Sequence, residues 1–269
     1  LAVKVRTFRG GRGRTGRPCE DKQIDTPSPD FAALHASFTA LRDDLSREII
    51  GQAGLVERLL VALLADGHLL VEGAPGLAKT TAVRALAARL EADFARVQFT
   101  PDLLPADLTG TEVWRPQDGR FEFQPGPIFH SILLADEINR APAKVQSALL
   151  EAMGERQVTV GRQTYALPAL FLVMATQNPI EQEGTFPLPE AQLDRFLMHV
   201  RIGYPQADAE TAILRLARAR ARDAMEGMAA PPLRIAQAEV MAARGAVLDV
   251  HVAPALERYI VELVLASRE

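Results

Sequence analysis

The sequence predicts an α/β fold in which a five-stranded parallel sheet carries helices on both faces. Two short stretches, 132–135 and 170–174, contain only apolar residues, which is typical of parallel strands buried on both sides. Helical patterns at 81–90 and 142–153 fall between predicted strands, so strands and helices alternate as in βαβ units. These observations favour an open sheet over an all-α or all-β domain.

The individual elements follow in order along the chain. Apolar residues three and four positions apart predict a helix that starts near residue 31, and a second helix runs from about 55 to 65. The five strands are predicted at 67–71, 94–99, 132–135, 170–174 and 196–202. From residue 204 onward the pattern is entirely helical, and its last segment, 254–267, stops without a cap. We therefore expect an α/β core over 31–203 and the start of an incomplete helical domain over 204–269.

Two predicted hairpins interrupt this alternation. Segments 111–114 and 121–123 flank the turn sequence Pro-Gln-Asp-Gly at 116–119, and Trp114 is expected to pack within this hairpin. Segments 157–160 and 163–166 flank Gly161 and Arg162 in the same way. Both are predicted to be β-hairpin inserts.

Composition limits the functional classes. The 269 residues are 48% hydrophobic and carry a net charge of −4, which is ordinary for a globular protein and argues against general nucleic-acid binding. The single cysteine, Cys19, excludes a disulfide framework or a cysteine-rich metal site and favours the cytoplasm. No apolar run is long enough to span a membrane.

The first 30 residues differ from the rest. Six of the first twenty are basic, and they lie among Gly, Thr and Pro, a composition that cannot build a core. We predict a disordered basic tail. A basic arm for nucleic acid or anionic lipid, or a targeting peptide, would have a similar composition.

A candidate phosphate-binding loop follows the first predicted strand. Residues 73–80 read Gly-Ala-Pro-Gly-Leu-Ala-Lys-Thr, close to G-x-x-x-x-G-K-[ST] but with Ala78 in place of the second glycine. A turn from strand to helix directs backbone N–H groups and the positive end of the helix at one point, where a triphosphate can bind. Lys79 would reach the β- and γ-phosphates and the Thr80 hydroxyl would ligate Mg²⁺. A Gly/Pro turn before an ordinary helix is the alternative.

Polar residues end two other predicted strands. Asp136 and Glu137 follow the third strand, where Asp136 could hold Mg²⁺ through water and Glu137 could deprotonate an attacking water. Asn178 follows the fourth strand and could bind the γ-phosphate or that water. The alternatives are a helix cap for the acidic pair and an Asn-Pro turn for Asn178.

Arg195 lies just before the fifth predicted strand. A guanidinium suits the charge that develops during phosphoryl transfer, and an arginine supplied by a neighbouring subunit would make hydrolysis depend on assembly. A surface ion pair with Asp194 or Glu190 is the alternative.

Together these segments resemble the AAA+ ATPases, and specifically the MoxR family, over roughly residues 45–269. The resemblance rests on the loop, whose alanine at the second glycine position is common in that family. It also rests on segments 98–105, 136–141, 147–153, 175–179 and 186–196.

The resemblance implies ATP and Mg²⁺ as cofactors and a role for each site residue. It assigns Lys79 and Thr80 to Walker A, Asp136 and Glu137 to Walker B, Asn178 to sensor 1 and Arg195 to a finger acting in trans. Metal binding would fall to Thr80 and Asp136. Nucleotide would be bound by Ile50 and Gly51, which line the adenine, and by Gly73, Ala74, Pro75, Gly76, Leu77, Ala78, Lys79, Thr80 and Thr81.

The resemblance further implies an ATP-hydrolysing ring, expected to be a hexamer, that acts as a chaperone-like factor on a client protein. A partner with a von Willebrand factor A domain is expected as well, and the hairpins are expected to face the central pore. The helical lid carries a sensor 2 arginine in this family, beyond residue 269. A nucleic-acid motor or transcription activator of the same clade is the alternative, supported by the basic tail and opposed by the single positive charge at 161–162.

Overall fold

A computed structural model describes residues 31–179, 186–226 and 233–268. The basic tail predicted at 1–30 lies outside the described residues. The main sheet has five parallel strands in the order β2-β5-β8-β1-β9, which confirms the predicted sheet. Its strands are β1 Leu69–Glu72, β2 Phe94–Gln98, β5 Ile132–Asp136, β8 Leu172–Gln177 and β9 Met198–Arg201.

Helices cover both faces of this sheet, as predicted. They are α1 Phe31–Glu48, α2 Ala53–Leu64, α3 Lys79–Arg89, α4 Pro105–Thr109, α5 Ala143–Glu155, α6 Glu190–Leu193, α7 Ala207–Glu226, α8 Gln237–Leu248 and α9 Pro254–Ala266. Successive strand residues point to opposite faces. Leu134 therefore packs in the core formed with α1, α2, α3 and α8, whereas Leu133 packs in the core formed with α5.

Both hairpin inserts are present and contact one another. The first pairs β3 (Gly110–Arg115) with β4 (Arg120–Pro125), and the second pairs β6 (Gln157–Val160) with β7 (Gln163–Ala166). Trp114 lies opposite Phe121 with ring centroids 5.1 Å apart, which confirms that it packs within its hairpin. Phe123 stacks on Tyr165 at 3.9 Å, so an aromatic contact joins the two hairpins.

The C-terminal helices differ in how they meet the core. Ile235 exchanges backbone hydrogen bonds with Arg89 and Glu91, and Val240 of α8 is fully buried in the core beside α1 and α2. Helix α9 has no buried residue among those described. The domain boundary at 203/204 stays a prediction. None of the described helices is long and apolar enough to cross a membrane.

A buried histidine lies at the start of β1. The Nδ1 atom of His68 accepts a hydrogen bond from the Val173 backbone N–H at 3.0 Å, so the neutral ring is the form that fits. Burial, together with the nearby Arg156 charge, lowers the pKa of His68 from 6.5 to about 4. Asp66 opposes this effect and forms ion pairs with both Arg156 and Arg244 of α8.

We expect this histidine to make stability depend on pH. In the unfolded chain His68 takes up a proton near pH 6.5, whereas in the folded chain it does so near pH 4. The unfolded state therefore binds more protons in that window, and the free energy of unfolding falls as pH falls, by up to about 1.4 kcal/mol per pH unit. Urea unfolding of wild type and His68→Asn between pH 7 and pH 4 measures this. Asparagine keeps a hydrogen-bond acceptor but does not titrate. The prediction is contradicted if the free energy of unfolding depends on pH in the same way in wild type and His68→Asn. The control is His35→Asn, which replaces an exposed histidine.

Candidate nucleotide site

The candidate phosphate-binding loop connects β1 to α3. Gly73 begins the loop where the chain passes very close to the end of β9, since a Cβ at this position would lie 2.5 Å from the Ile202 side chain and 2.9 Å from its carbonyl oxygen. A glycine is therefore needed there for close packing. The loop ends at the first turn of α3, whose backbone N–H groups have no partner within the helix.

Ala78 occupies a backbone conformation that usually requires glycine. Its φ of 58° and ψ of 17° lie in the left-handed region, immediately before Lys79 begins α3. An L-residue adopts this region at a cost of roughly 1–2 kcal/mol. The glycine of the general motif is thus explained by the left-handed conformation needed at this position. Alanine adopts that conformation here, and its small side chain packs at the edge of the core.

The Lys79 side chain turns back over the loop. Its Nζ donates hydrogen bonds to the carbonyl oxygens of Gly73 and Ala74, the latter at 3.3 Å. Burial lowers the pKa of Lys79, and the charges of Asp136 and Glu137 partly offset this effect. A cation is thus held beside two acidic groups at the mouth of the loop.

Asp136 ends β5 and both of its carboxylate oxygens have partners. Oδ1 accepts a hydrogen bond from the Thr176 hydroxyl at 2.6 Å. Oδ2 accepts from Arg96 of β2, with Nε at 3.2 Å and Nη2 at 2.7 Å. The fully buried Thr176 also accepts a hydrogen bond from the Glu137 backbone N–H at 2.9 Å, so neighbouring strands hold the acidic pair in place.

Glu137 has a φ of 57°, which is uncommon outside glycine. Its Oε2 accepts hydrogen bonds from Gln98 at 2.8 Å and from Arg140 at 3.2 Å. This strained residue comes directly after Asp136, the last residue of β5, and the chain turns there. Backbone strain of this kind is common at functional sites.

One cleft of about 430 Å³ brings most of the predicted site together. It is lined by Pro75, Gly76, Leu77, Ala78, Lys79, Thr80, Thr81, Arg96, Gln98, Asp136, Glu137 and Asn178. Arg96 and Gln98 were not predicted from the sequence. Strand β2 ends beside β5, with Gln98 in register with Asp136. Arg96 and Gln98 could therefore have been predicted as site residues only from the order of the strands in the sheet.

The predicted adenine-binding residues lie elsewhere. Gly51 lines a separate cavity of about 540 Å³ between the start of α2 and the start of α7. Its φ is +78°, and a Cβ would lie 2.9 Å from Cβ of Pro205. The Gln52 amide donates to the Gly203 carbonyl at 2.8 Å and ties this turn to the end of β9. Adenine binding by Ile50 and Gly51 stays a prediction.

Arg195 is not among the lining residues of the cleft. It is exposed and lies against α5, with Nη1 3.4 Å from the Leu150 carbonyl oxygen. Gly154 leaves the space for this side chain, since a Cβ there would come within 1.8 Å of Nη1. The arginine is therefore placed outside the chain's own cleft.

The donor atoms of the cleft fit Mg²⁺. The described residues contain no group of three or more His, Cys, Asp or Glu side chains that could enclose a metal. The Thr80 hydroxyl and the Asp136 carboxylate line one cleft, and Mg²⁺ is commonly bound through few protein oxygens together with phosphate and water.

Comparison with known proteins agrees with this geometry. The profile of the ATPase family associated with various cellular activities (AAA) matches residues 68–198. Protein MoxR of Paracoccus denitrificans is 36% identical over 244 residues, which cover 87% of this chain and 70% of that protein. The chain belongs to the MoxR family of AAA+ ATPases. This confirms the resemblance seen in the sequence motifs.

Two further comparisons define the extent of the similarity. Chaperone MoxR1 of Mycobacterium tuberculosis is 56% identical over 171 residues, which cover 64% of this chain but only 45% of that protein. A crystal structure of a candidate ATPase from Cytophaga hutchinsonii is 44% identical with a TM-score of 0.77, covering 87% of this chain and 70% of that one. The chain thus spans less than half the length of Chaperone MoxR1.

Proposed function

We propose that this MoxR-family chain binds ATP with Mg²⁺ and uses water to cleave the bond between the β- and γ-phosphates, which gives ADP and phosphate. The observation that carries the proposal is the single cleft that contains the phosphate-loop lysine together with Asp136 and Glu137. Thr80 and Asp136 would hold the Mg²⁺, which would neutralise phosphate charge when bound. Lys79 would exchange its loop carbonyl partners for phosphate oxygens.

The remaining residues of the cleft support a hydrolytic role. Glu137 is not one of the proposed Mg²⁺ ligands. Its carboxylate can therefore act as a general base and accept a proton from an attacking water. Gln98 and Arg140 position that carboxylate through hydrogen bonds to its Oε2 atom. Asn178, buried at the end of β8, is suited to orient the water or the γ-phosphate.

We further propose that Arg195 acts on the cleft of a neighbouring subunit in a ring, which would be a hexamer. Its exposure and its position outside the chain's own cleft support this role. Closed rings arise when one surface patch meets a different patch on the next copy. An exposed arginine on one patch can then complete the site on the other.

Arg195→Ala should lower ATP turnover by about 10³-fold, because an arginine supplied in trans stabilises transition-state charge. ATP affinity should stay near wild type. Steady-state phosphate release and titration with a fluorescent ATP analogue measure the two quantities. The exposed Arg234→Ala is the control and should behave as wild type.

A mixing experiment separates action in trans from action within one chain. Arg195→Ala and Glu137→Gln subunits should each be inactive alone, yet an equal mixture should regain activity at about a quarter of its interfaces. This follows because an intact Glu137 then meets an intact Arg195 across some interfaces. A mixture as inactive as its components would contradict the proposed shared site.

We propose a chaperone-like role in the cytoplasm, in which nucleotide-driven motion acts on a client protein, with a von Willebrand factor A domain protein as partner. Three observations support this: the name of Chaperone MoxR1, the single cysteine, and the exposed apolar residues Val113, Trp114 and Phe121 on the first hairpin. ATPase stimulation by an unfolded polypeptide is the expected result. Stimulation by DNA alone would favour the nucleic-acid motor instead.

A further inference from the structure

Arg96 is a cation that the sequence motifs leave unassigned, and it lies against the acid proposed to hold Mg²⁺. Its guanidinium contacts Asp136 Oδ2 through two nitrogen atoms, Nε at 3.2 Å and Nη2 at 2.7 Å. The other cation lining the cleft near this acid, Lys79, donates instead to carbonyl oxygens of the loop. Arg96 is thus in direct contact with the carboxylate.

The two oxygens of Asp136 are held in different ways. Oδ1 is bound by Thr176, which is fully buried and anchored within β8. Oδ2 is bound by Arg96, whose side chain is 50% exposed. Oδ2 is therefore the oxygen that can be released without disturbing the core.

Arg96 also has a partner other than Asp136. Its Nη2 lies 3.2 Å from the Gln98 Oε1 atom, and its exposed half faces solvent in the cleft. An ion pair with a half-exposed arginine is weak enough to be exchanged, and repulsion between a guanidinium and a divalent cation opposes binding of both at one carboxylate oxygen. Mg²⁺ held by Oδ2, directly or through water, would therefore compete with the arginine.

We propose that Arg96 is a competitor for the Mg²⁺ position: its guanidinium binds Oδ2 of Asp136 and must give up that oxygen for Mg²⁺ and nucleotide to bind. The proposal rests on the ATP-binding function proposed above. Arg96 is then a positioning residue that sets the Mg²⁺ concentration at which the site loads. Neither the loop motif nor the acidic pair assigns it this role.

The test is a Mg²⁺ titration of nucleotide binding, not of turnover. A fluorescent ATP analogue is held at fixed concentration while Mg²⁺ is varied, and the half-saturating Mg²⁺ concentration is read from the binding signal. Arg96→Gln should lower that concentration about fivefold, the scale of an exposed ion pair. Arg96→Lys, which keeps the charge, should stay within about twofold of wild type.

Controls separate the possible outcomes. Arg84→Gln removes an exposed arginine from α3 and should leave the Mg²⁺ midpoint unchanged. Thermal unfolding shows whether each variant is folded. If Arg96→Gln does not fold, Arg96→Met replaces it, because methionine keeps an apolar stem and removes the charge. An unchanged or raised midpoint in the charge-removing variant overturns the proposal. A wild type that binds no nucleotide at any Mg²⁺ concentration overturns the proposed function and this inference together.

Discussion

Glu137→Gln should abolish ATP hydrolysis while ATP binding persists. Glutamine keeps the shape of the side chain and can still pair with Gln98 and Arg140, but it cannot accept a proton from water. Loss of a general base costs about 10²–10⁴-fold in rate. The rate of single-turnover phosphate release should fall at least about 10²-fold, and the affinity for a fluorescent ATP analogue should change less than about threefold.

The choice of glutamine makes this result specific. The backbone of Glu137 is in the left-handed region, so both variant and wild type carry the same strain and stability should not change. Glu57→Gln, an exposed glutamate of α2, is the matched control and should turn over as wild type. If Glu137→Gln hydrolyses ATP at the wild-type rate, the assignment of the general base is wrong.

Lys79→Ala should prevent nucleotide binding itself. The ammonium is held at the loop mouth by two backbone carbonyl oxygens and is partly desolvated, so it is positioned to exchange these for phosphate oxygens. Charge-assisted hydrogen bonds contribute about 1.5–3 kcal/mol each, so affinity should fall by about 10²-fold. Equilibrium titration with a fluorescent ATP analogue measures this loss.

The comparison with Glu137→Gln distinguishes binding from chemistry. Lys79→Ala should lose both, whereas Glu137→Gln should lose only turnover. Arg84→Ala removes a cation from the exposed side of the same helix and should bind as wild type. Wild-type affinity in Lys79→Ala would show that the loop is a structural turn, the alternative that the motif alone leaves open.

Much of the fold could be predicted because its signals are local. Strands β5 and β8 are apolar throughout since helices cover both faces of the sheet, and this pattern is visible in the sequence. The hairpins carry their own turn signals at 116–119 and 161–162. Strand ends are harder to predict: the strand predicted at 196–202 is observed as Met198–Arg201, although Leu197 and Ile202 still donate backbone hydrogen bonds to His68 and Glu72 beside it.

Other features depend on contacts between distant segments. The stacking of Phe123 on Tyr165 joins the two hairpins, and no turn signal could indicate it. In the same way, burial of Val240 beside α1 and α2 depends on where the C-terminal helices fold back onto the core. Periodicity identifies an apolar face but not the surface that covers it.

The sequence by itself determined the chemistry available at the site: a glycine-rich loop with Lys79, and carboxylates at the end of a buried strand. It also carried the motifs of the MoxR family. Only the tertiary structure decided that Arg96 and Gln98 contact Asp136 and Glu137, about forty positions away along the chain. The physical reason is that parallel pairing sets β2 beside β5 in a definite register, and the pairing depends on the whole sheet.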